Sequence, residues 1–236
     1  MRLHGAEVVA SADVGGRVEE FRAEKLLIAT GRRPNTDTIA IERAGVSVNA
    51  EGEVEVDEFL RTNVPHIFAA GDVIGRQVGS QMATPVGSRN GRIAAYNALS
   101  GEPPRRVDHR VIARVIFTDP PAAMVGLTEA AAVQAGHRCW CNTLPLTLVP
   151  RAGAIRKPHG FVKMVADADT HEVLGVAMVG DSAGEVIHEA AMALHFRAKL
   201  EDFIDLIHVY PTMAEALKLA AISRFRDPRR LSCCAE

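Results

Sequence analysis

Ile67-Phe68-Ala69-Ala70-Gly71-Asp72 reads as a hydrophobic strand that delivers an acidic side chain at its carboxyl end. Open α/β sheets bind ligands at that edge, and a carboxylate placed there can accept hydrogen bonds from a polyol. Gly-Asp is also an ordinary turn former, so the dipeptide alone leaves both readings open. A helix is predicted to follow from about Thr84-Pro85, with Pro in its first turn, to Leu99. Its first turn offers free N–H groups and a positive dipole end, suited to an electron-rich carbonyl or a developing anion.

Working outward, Val8-Val9-Ala10 and Val18-Glu19-Glu20-Phe21 read as an antiparallel pair turning at Asp13-Val14-Gly15-Gly16, and Lys25-Leu26-Leu27-Ile28-Ala29 as a buried strand. Strands this short need neighbours, so truncation or a split polypeptide is the expectation. Turn formers follow at Thr30-Gly31-Arg32-Arg33-Pro34-Asn35-Thr36, then a short helix from about Thr38 to Ala44 ending at Gly45. Beyond the Pro-rich stretch Gly101-Glu102-Pro103-Pro104, strands are predicted at Val111 to Phe117, Cys139 to Leu146, Phe161 to Val165 and Val173 to Val179. Thr128 caps a helix that stops at Gly136, Ser182-Ala183-Gly184-Glu185 forms a capping box, and a third helix starts at Pro211. This mixture of antiparallel strands and packed helices is an α+β domain.

Composition narrows the function classes. A chain of 236 residues with 47% hydrophobic content buries a real core. Lys and Arg number 27 against 29 Asp and Glu, a formal charge of −2, so no electrostatic footprint for nucleic acid or an anionic membrane is visible. No apolar run approaches a membrane span and Met1-Arg2-Leu3-His4-Gly5 lacks a signal peptide's apolar segment, so the expected location is the cytoplasm. Cys139-Trp140-Cys141 and Cys233-Cys234 do not make a secreted disulfide framework. The adjacent pair lies in the last six residues, where it reads either as a capture arm for a soft metal or as incidental small residues at a chain end. Cys139 and Cys141, two apart in a strand, share one face, and the ordinary reading is that both pack there; a metal role is the alternative. The nine His show no ligand spacing, and His208 is only a candidate neighbour of the Tyr210 segment.

Ala29-Thr30-Gly31-Arg32-Arg33-Pro34-Asn35-Thr36 followed by the Gly71-Asp72 segment resembles the flavin-dependent pyridine-nucleotide disulfide oxidoreductases in order and spacing. The resemblance implies an α/β plus α+β architecture: residues 1–33 as the tail of a nicotinamide-nucleotide domain, 34–105 as part of an FAD-binding domain, 106–223 as an α+β dimerisation domain, and 224–236 as a mobile tail. It implies that Asp72 binds the ribityl chain of FAD and that Gly79 to Met82, with Ser80 as the polar contact, runs beside the flavin. The helix at Thr84 then points at the pyrimidine end of the ring.

His208-Val209-Tyr210-Pro211-Thr212-Met213-Ala214-Glu215 refines the resemblance. Disulfide-reducing members carry His-Pro-Thr followed by Glu, the His moving protons and the Glu orienting it. Here Tyr210 takes the His position while Pro211, Thr212 and Glu215 match. A phenol with a pKa near ~10 is a poor shuttle at neutral pH, although its oxygen can touch a metal; a buried aromatic with a satisfied hydroxyl is the plain alternative. Together with Ser232-Cys233-Cys234 this resembles the mercuric-reductase members of the family, which use NADPH to convert Hg(II) to Hg(0). That implies Cys233 and Cys234 as catalytic metal ligands that pass Hg(II) to an inner thiol pair beside the partner subunit's flavin, with Tyr210 and Glu215 assisting. Adjacent thiols chelate a near-linear soft ion with strain, which favours onward exchange.

The chain departs from that family pattern in having neither Gly-x-Gly-x-x-Gly nor an inner Cys-x4-Cys. The isolated polypeptide is therefore expected to be inactive, with a separate amino-terminal half as a candidate partner. A stand-alone dimeric Hg(II)-binding module and a lipoamide-dehydrogenase-like reductase are the alternatives. A homodimer is expected, on the apolar face of Met213, Leu217 and Ala221.

Overall fold

The computed structural model describes residues 2–4 and 7–230. The chain opens with β1 (Arg2–His4), β2 (Glu7–Val14) and β3 (Arg17–Ala23), an antiparallel sheet in the order β1-β2-β3. Gly15 and Gly16 adopt φ of 62° and 84°, the left-handed pair that a two-residue hairpin requires, and the Asp13 carboxylate accepts from the Gly16 N–H at 2.8 Å.

Two strands expected here do not form. Residues 25–29 run without regular structure, with Leu27 87% exposed. Residues 67–70 make only an isolated bridge, Phe68 to Arg61, before a 3-10 turn at Gly71–Ile74. Both runs have the composition of a strand buried on two faces, but such a strand is stable only between hydrogen-bonded neighbours. Among the described residues no named strand pairs with either of them. Ile67, Phe68 and Ala70 instead line an apolar cavity of about 810 Å³ with Ile39, Val46 and Val54. The short helix before Gly45 is a 3-10 turn, Ile41–Ala44, closed by Gly45 at φ 70°.

The helix α1 (Thr84–Leu99) spans the predicted residues, with Pro in its first turn. It covers a small core of Val46, Val54, Leu60, Ile74, Ile93 and Ala94. A Cβ added at Gly87 would lie 3.2 Å from Gly71 Cα, so two bare backbones let the Asp72 turn sit directly on the helix.

After the Pro-rich stretch come β4 (Arg114–Ile116), β5 (Ala122–Gly126), β6 (Cys139–Pro145), β7 (Phe161–Asp167) and β8 (Val173–Val179). They form one antiparallel five-stranded sheet in the order β4-β5-β8-β7-β6. Interleaved are α2 (Glu129–Gln134), α3 (Pro150–Ala154), α4 (Ala183–His195), α5 (Leu200–Asp205) and α6 (Glu215–Ile222). The main core joins Met164 and Met178 of the sheet to Ile187 of α4 and Leu217 of α6, while α2 covers a smaller cluster of Ala132, Val165 and Leu174. This is the expected α+β arrangement.

Thr128 caps α2 as read, its hydroxyl accepting from Ala131 N at 3.2 Å. The capping box at Ser182 does not form. Ser182 is left-handed at φ 61°, and its hydroxyl donates to Asp181 at 2.8 Å, away from the helix N–H groups. The last helix begins at Glu215, not Pro211, because a turn intervenes. Met213, Leu217 and Ala221, expected to face a partner, are buried in the chain's own core. Large exposed apolar side chains of this region include Ile116, Phe117, Phe196, Ile207 and Val209. No helix of the described residues is long and apolar enough to cross a membrane.

Candidate functional site

Gly71, at φ 82°, turns the chain so that Asp72 emerges beside the first turn of α1. No side chain caps that helix end, so its leading N–H groups remain open to a ligand. Asp72 is engaged by Arg32, whose guanidinium donates to the carboxylate at 2.7 Å and to Met82 O at 2.9 Å. One side chain of the Thr30–Thr36 turn segment thus ties the Asp72 turn to the loop before α1. Both partners are exposed, and such a pair is worth little, about 0–1 kcal/mol, so a polyol can replace it. Thr84 opens α1 with its side chain exposed.

Ser80 is buried in a polar chain. Asn90 of α1 donates to Ser80 Oγ at 3.1 Å and meets His109 Nε2 at 2.8 Å, while His109 Nδ1 lies 2.9 Å from Val78 O. The chain holds the 77–82 loop, in which Val78 adopts φ 48°, against α1 and the stretch leading to β4.

Tyr210 lies in the loop between α5 and α6 and is 48% exposed. His208 points the other way into the body: its side chain is 5% exposed, Nε2 is 2.9 Å from the Glu189 carboxylate of α4, and Nδ1 is 3.1 Å from Leu206 O. Lys218 Nζ donates to the same carbonyl at 3.3 Å. Glu215 accepts from the Thr212 N–H at 3.0 Å, which fixes the turn after Tyr210. The Tyr210 segment is therefore anchored on both sides.

The hydrogen bond to Glu189 holds the His208 imidazole protonated above its ordinary pKa of 6.5, against a smaller opposing effect of burial. A raised folded-state pKa stabilises fully below the unfolded value and is lost as pH rises through the folded value. As pH rises above the ordinary imidazole range, denaturation midpoints should therefore fall by more in the parent than in His208→Gln, which keeps a donor but does not titrate. Equal pH profiles for parent and variant would contradict this role.

Cys139 and Cys141 are free thiols on β6, and burial pushes the pKa of both upward. Cys233 and Cys234 lie outside the described residues. Among the described residues no group of three or more His, Cys, Asp or Glu is placed to hold a metal ion.

The structure brings Asp72, Ser80 and Thr84 into one region and places Tyr210 and Glu215 in another. Sequence reasoning did not single out Arg32, Asn90 or His109. Arg32 stood inside the quoted turn segment, whereas Asn90 and His109 carry no local signal because their partners are remote in sequence.

Residues 112–221 match the model of the pyridine nucleotide-disulphide oxidoreductase dimerisation domain, and residues 4–96 match that of pyridine nucleotide-disulphide oxidoreductase. A mercuric reductase of Staphylococcus aureus is 42% identical over 94% of this chain and 40% of its own length. A dihydrolipoyl dehydrogenase of Haloferax volcanii is 40% identical over 91% of this chain and 44% of its own. Among solved structures, the HOCl-induced flavoprotein disulfide reductase RclA of Escherichia coli superposes with a TM-score of 0.77 at 30% identity, covering 92% of this chain and 48% of that one. The chain thus spans less than half the length of these relatives.

Proposed function

The chain belongs to the pyridine nucleotide-disulphide oxidoreductase family, and from that premise we propose that it serves FAD- and NADPH-dependent reduction of Hg(II) to Hg(0). In this reading it supplies a homodimer interface, part of the flavin site and the Cys233-Cys234 pair that captures the ion. Tyr210 carries the proposal. Overall identity does not separate the mercuric reductase from the dihydrolipoyl dehydrogenase, at 42% and 40%. A phenol where disulfide-reducing members place a proton-shuttling imidazole favours the mercuric-reductase reading.

The residues present fit the flavin end of FAD: an uncapped helix start at Thr84, an exposed carboxylate on Asp72 and two glycines that keep the turn low. When bound, FAD supplies a relay for two electrons between nicotinamide and metal. Asp72 accepts hydrogen bonds from the ribityl hydroxyls once Arg32 yields, and the first N–H groups of α1 favour negative charge at the pyrimidine edge. Ser80 and Asn90 hold the loop that leads to that helix. The sequence has no Gly-x-Gly-x-x-Gly, so NADPH has no pyrophosphate cradle in it. The second reading is a dimeric module that sequesters Hg(II) without reducing it. The dimerisation-domain match and the exposed Ile116, Phe117, Ile207 and Val209 support the homodimer in either reading.

Co-expression with the amino-terminal part of the Staphylococcus aureus mercuric reductase tests the proposal. Bound flavin and NADPH-dependent release of mercury vapour are the expected results, with Tyr210→His lowering the release. A flavin-free assembly that binds Hg(II) without releasing vapour would leave the sequestering module. Lipoamide turnover with Tyr210 intact would point to the dehydrogenase instead.

A further inference from the structure

Cys139 and Cys141 flank Trp140 on β6, an edge strand of the five-stranded sheet. Side chains alternate across a strand, and here the alternation sorts chemistry. Trp140 packs with the main core under α4 and α6, whereas both thiols pack on the opposite face against Ala132, Val165 and Leu174, beneath α2. Both are free and partly exposed.

Polar groups surround the pair. The Glu129 carboxylate, which accepts from Lys163 Nζ at 2.6 Å, lies close enough to raise the pKa of the Cys141 thiol. Cys139 Sγ lies 3.7 Å from His137 O. An open depression of about 700 Å³, lined by Glu129, Val133, Gln134 and Lys163, lies on this side of the sheet. Two unpaired sulfurs on one face, reachable from solvent, with no third ligand among the described residues, suit an ion content with two soft ligands. They do not suit Zn(II), which takes four.

We propose that Cys139 and Cys141 form a thiolate chelate for one soft, two-coordinate cation of the Hg(II) or Cu(I) class, distinct from the terminal Cys pair. On binding, both S–H bonds break and two metal–sulfur bonds form. The two protons leave to solvent. No electrons are transferred. The site does not depend on the reductase reading.

The test uses the full chain carrying Cys233→Ala and Cys234→Ala, loaded with Hg(II) and passed through gel filtration in excess glutathione. A single thiol loses the ion to glutathione, while a chelate keeps it. One Hg per chain should be retained, unmoved by excess Zn(II), and Cys139→Ser or Cys141→Ser should each lower it at least about tenfold, as expected for loss of a direct ligand. Alkylation of the same Cys233→Ala/Cys234→Ala chain, with Cys139 and Cys141 intact, needs no change near the sheet. Both thiols should react without metal and both should be protected by one equivalent. Loss of all mercury to glutathione, displacement by Zn(II), or protection of one thiol alone would overturn the proposal.

Discussion

Replacing Cys233 and Cys234 together by Ala should lower mercury vapour release by the complemented enzyme by roughly a hundredfold or more, at limiting external thiol. Removing a group that merely supports a metal ligand costs about 10–100-fold, and here both proposed ligands go. The described residues end at Pro228–Arg230, a 3-10 turn in which Arg230 N donates to Asp227 O at 3.0 Å. Arg229 and Arg230 lie close in sequence to the thiols and favour their anionic, metal-binding forms, with Glu236 opposing. Mercury content in glutathione should fall from two equivalents to the one held by Cys139 and Cys141. Full vapour release by the double variant would mean that capture happens elsewhere, and the proposed role of the terminal pair would be lost.

Gly160→Ala should destabilise the folded chain by about 2–6 kcal/mol, the sum of a disallowed backbone conformation and overpacking against main chain. Gly160 adopts φ 126°, and a Cβ there would lie 1.9 Å from Val179 O and 3.1 Å from Leu146 Cδ1. Gly160 O also accepts from Leu146 N at 3.1 Å, so the backbone has little freedom to retreat. The contrast is Gly91→Ala within α1, where a Cβ meets nothing within 4 Å. Relief of glycine's helix penalty should stabilise that variant by about 0.5–1 kcal/mol. Denaturant midpoints of the two variants check both signs, and a Gly160→Ala midpoint equal to that of the parent would refute the packing argument.

Elements governed by neighbours in sequence were readable residue by residue. The β2–β3 hairpin follows from Gly15-Gly16, α1 from Pro85 and an uninterrupted helical run, and the start of α2 from Thr128. The strand Val173–Val179 was read with its observed bounds, because its apolar run sits between turn formers. Of the candidate site, the Asp72 turn and the start of α1 were legible as a pair. Their neighbours Arg32 and His109 were not, since each acts across a long stretch of chain. Ser182 carried the right residues for a capping box but entered its helix in a left-handed conformation, which local pattern does not encode.

The sequence by itself determined the hairpin, the long helix, the alternation that puts Cys139 and Cys141 on one face, and the Tyr210-Pro211-Thr212 signature. Only the tertiary structure decided that residues 25–29 and 67–70 are not strands, that Leu217 faces the chain's own core, and that His208 is clamped by Glu189. The division has one physical cause. Helix, cap and turn energies are set within a few residues, whereas a strand, a buried face or a buried ion pair exists only when a distant segment arrives to satisfy it.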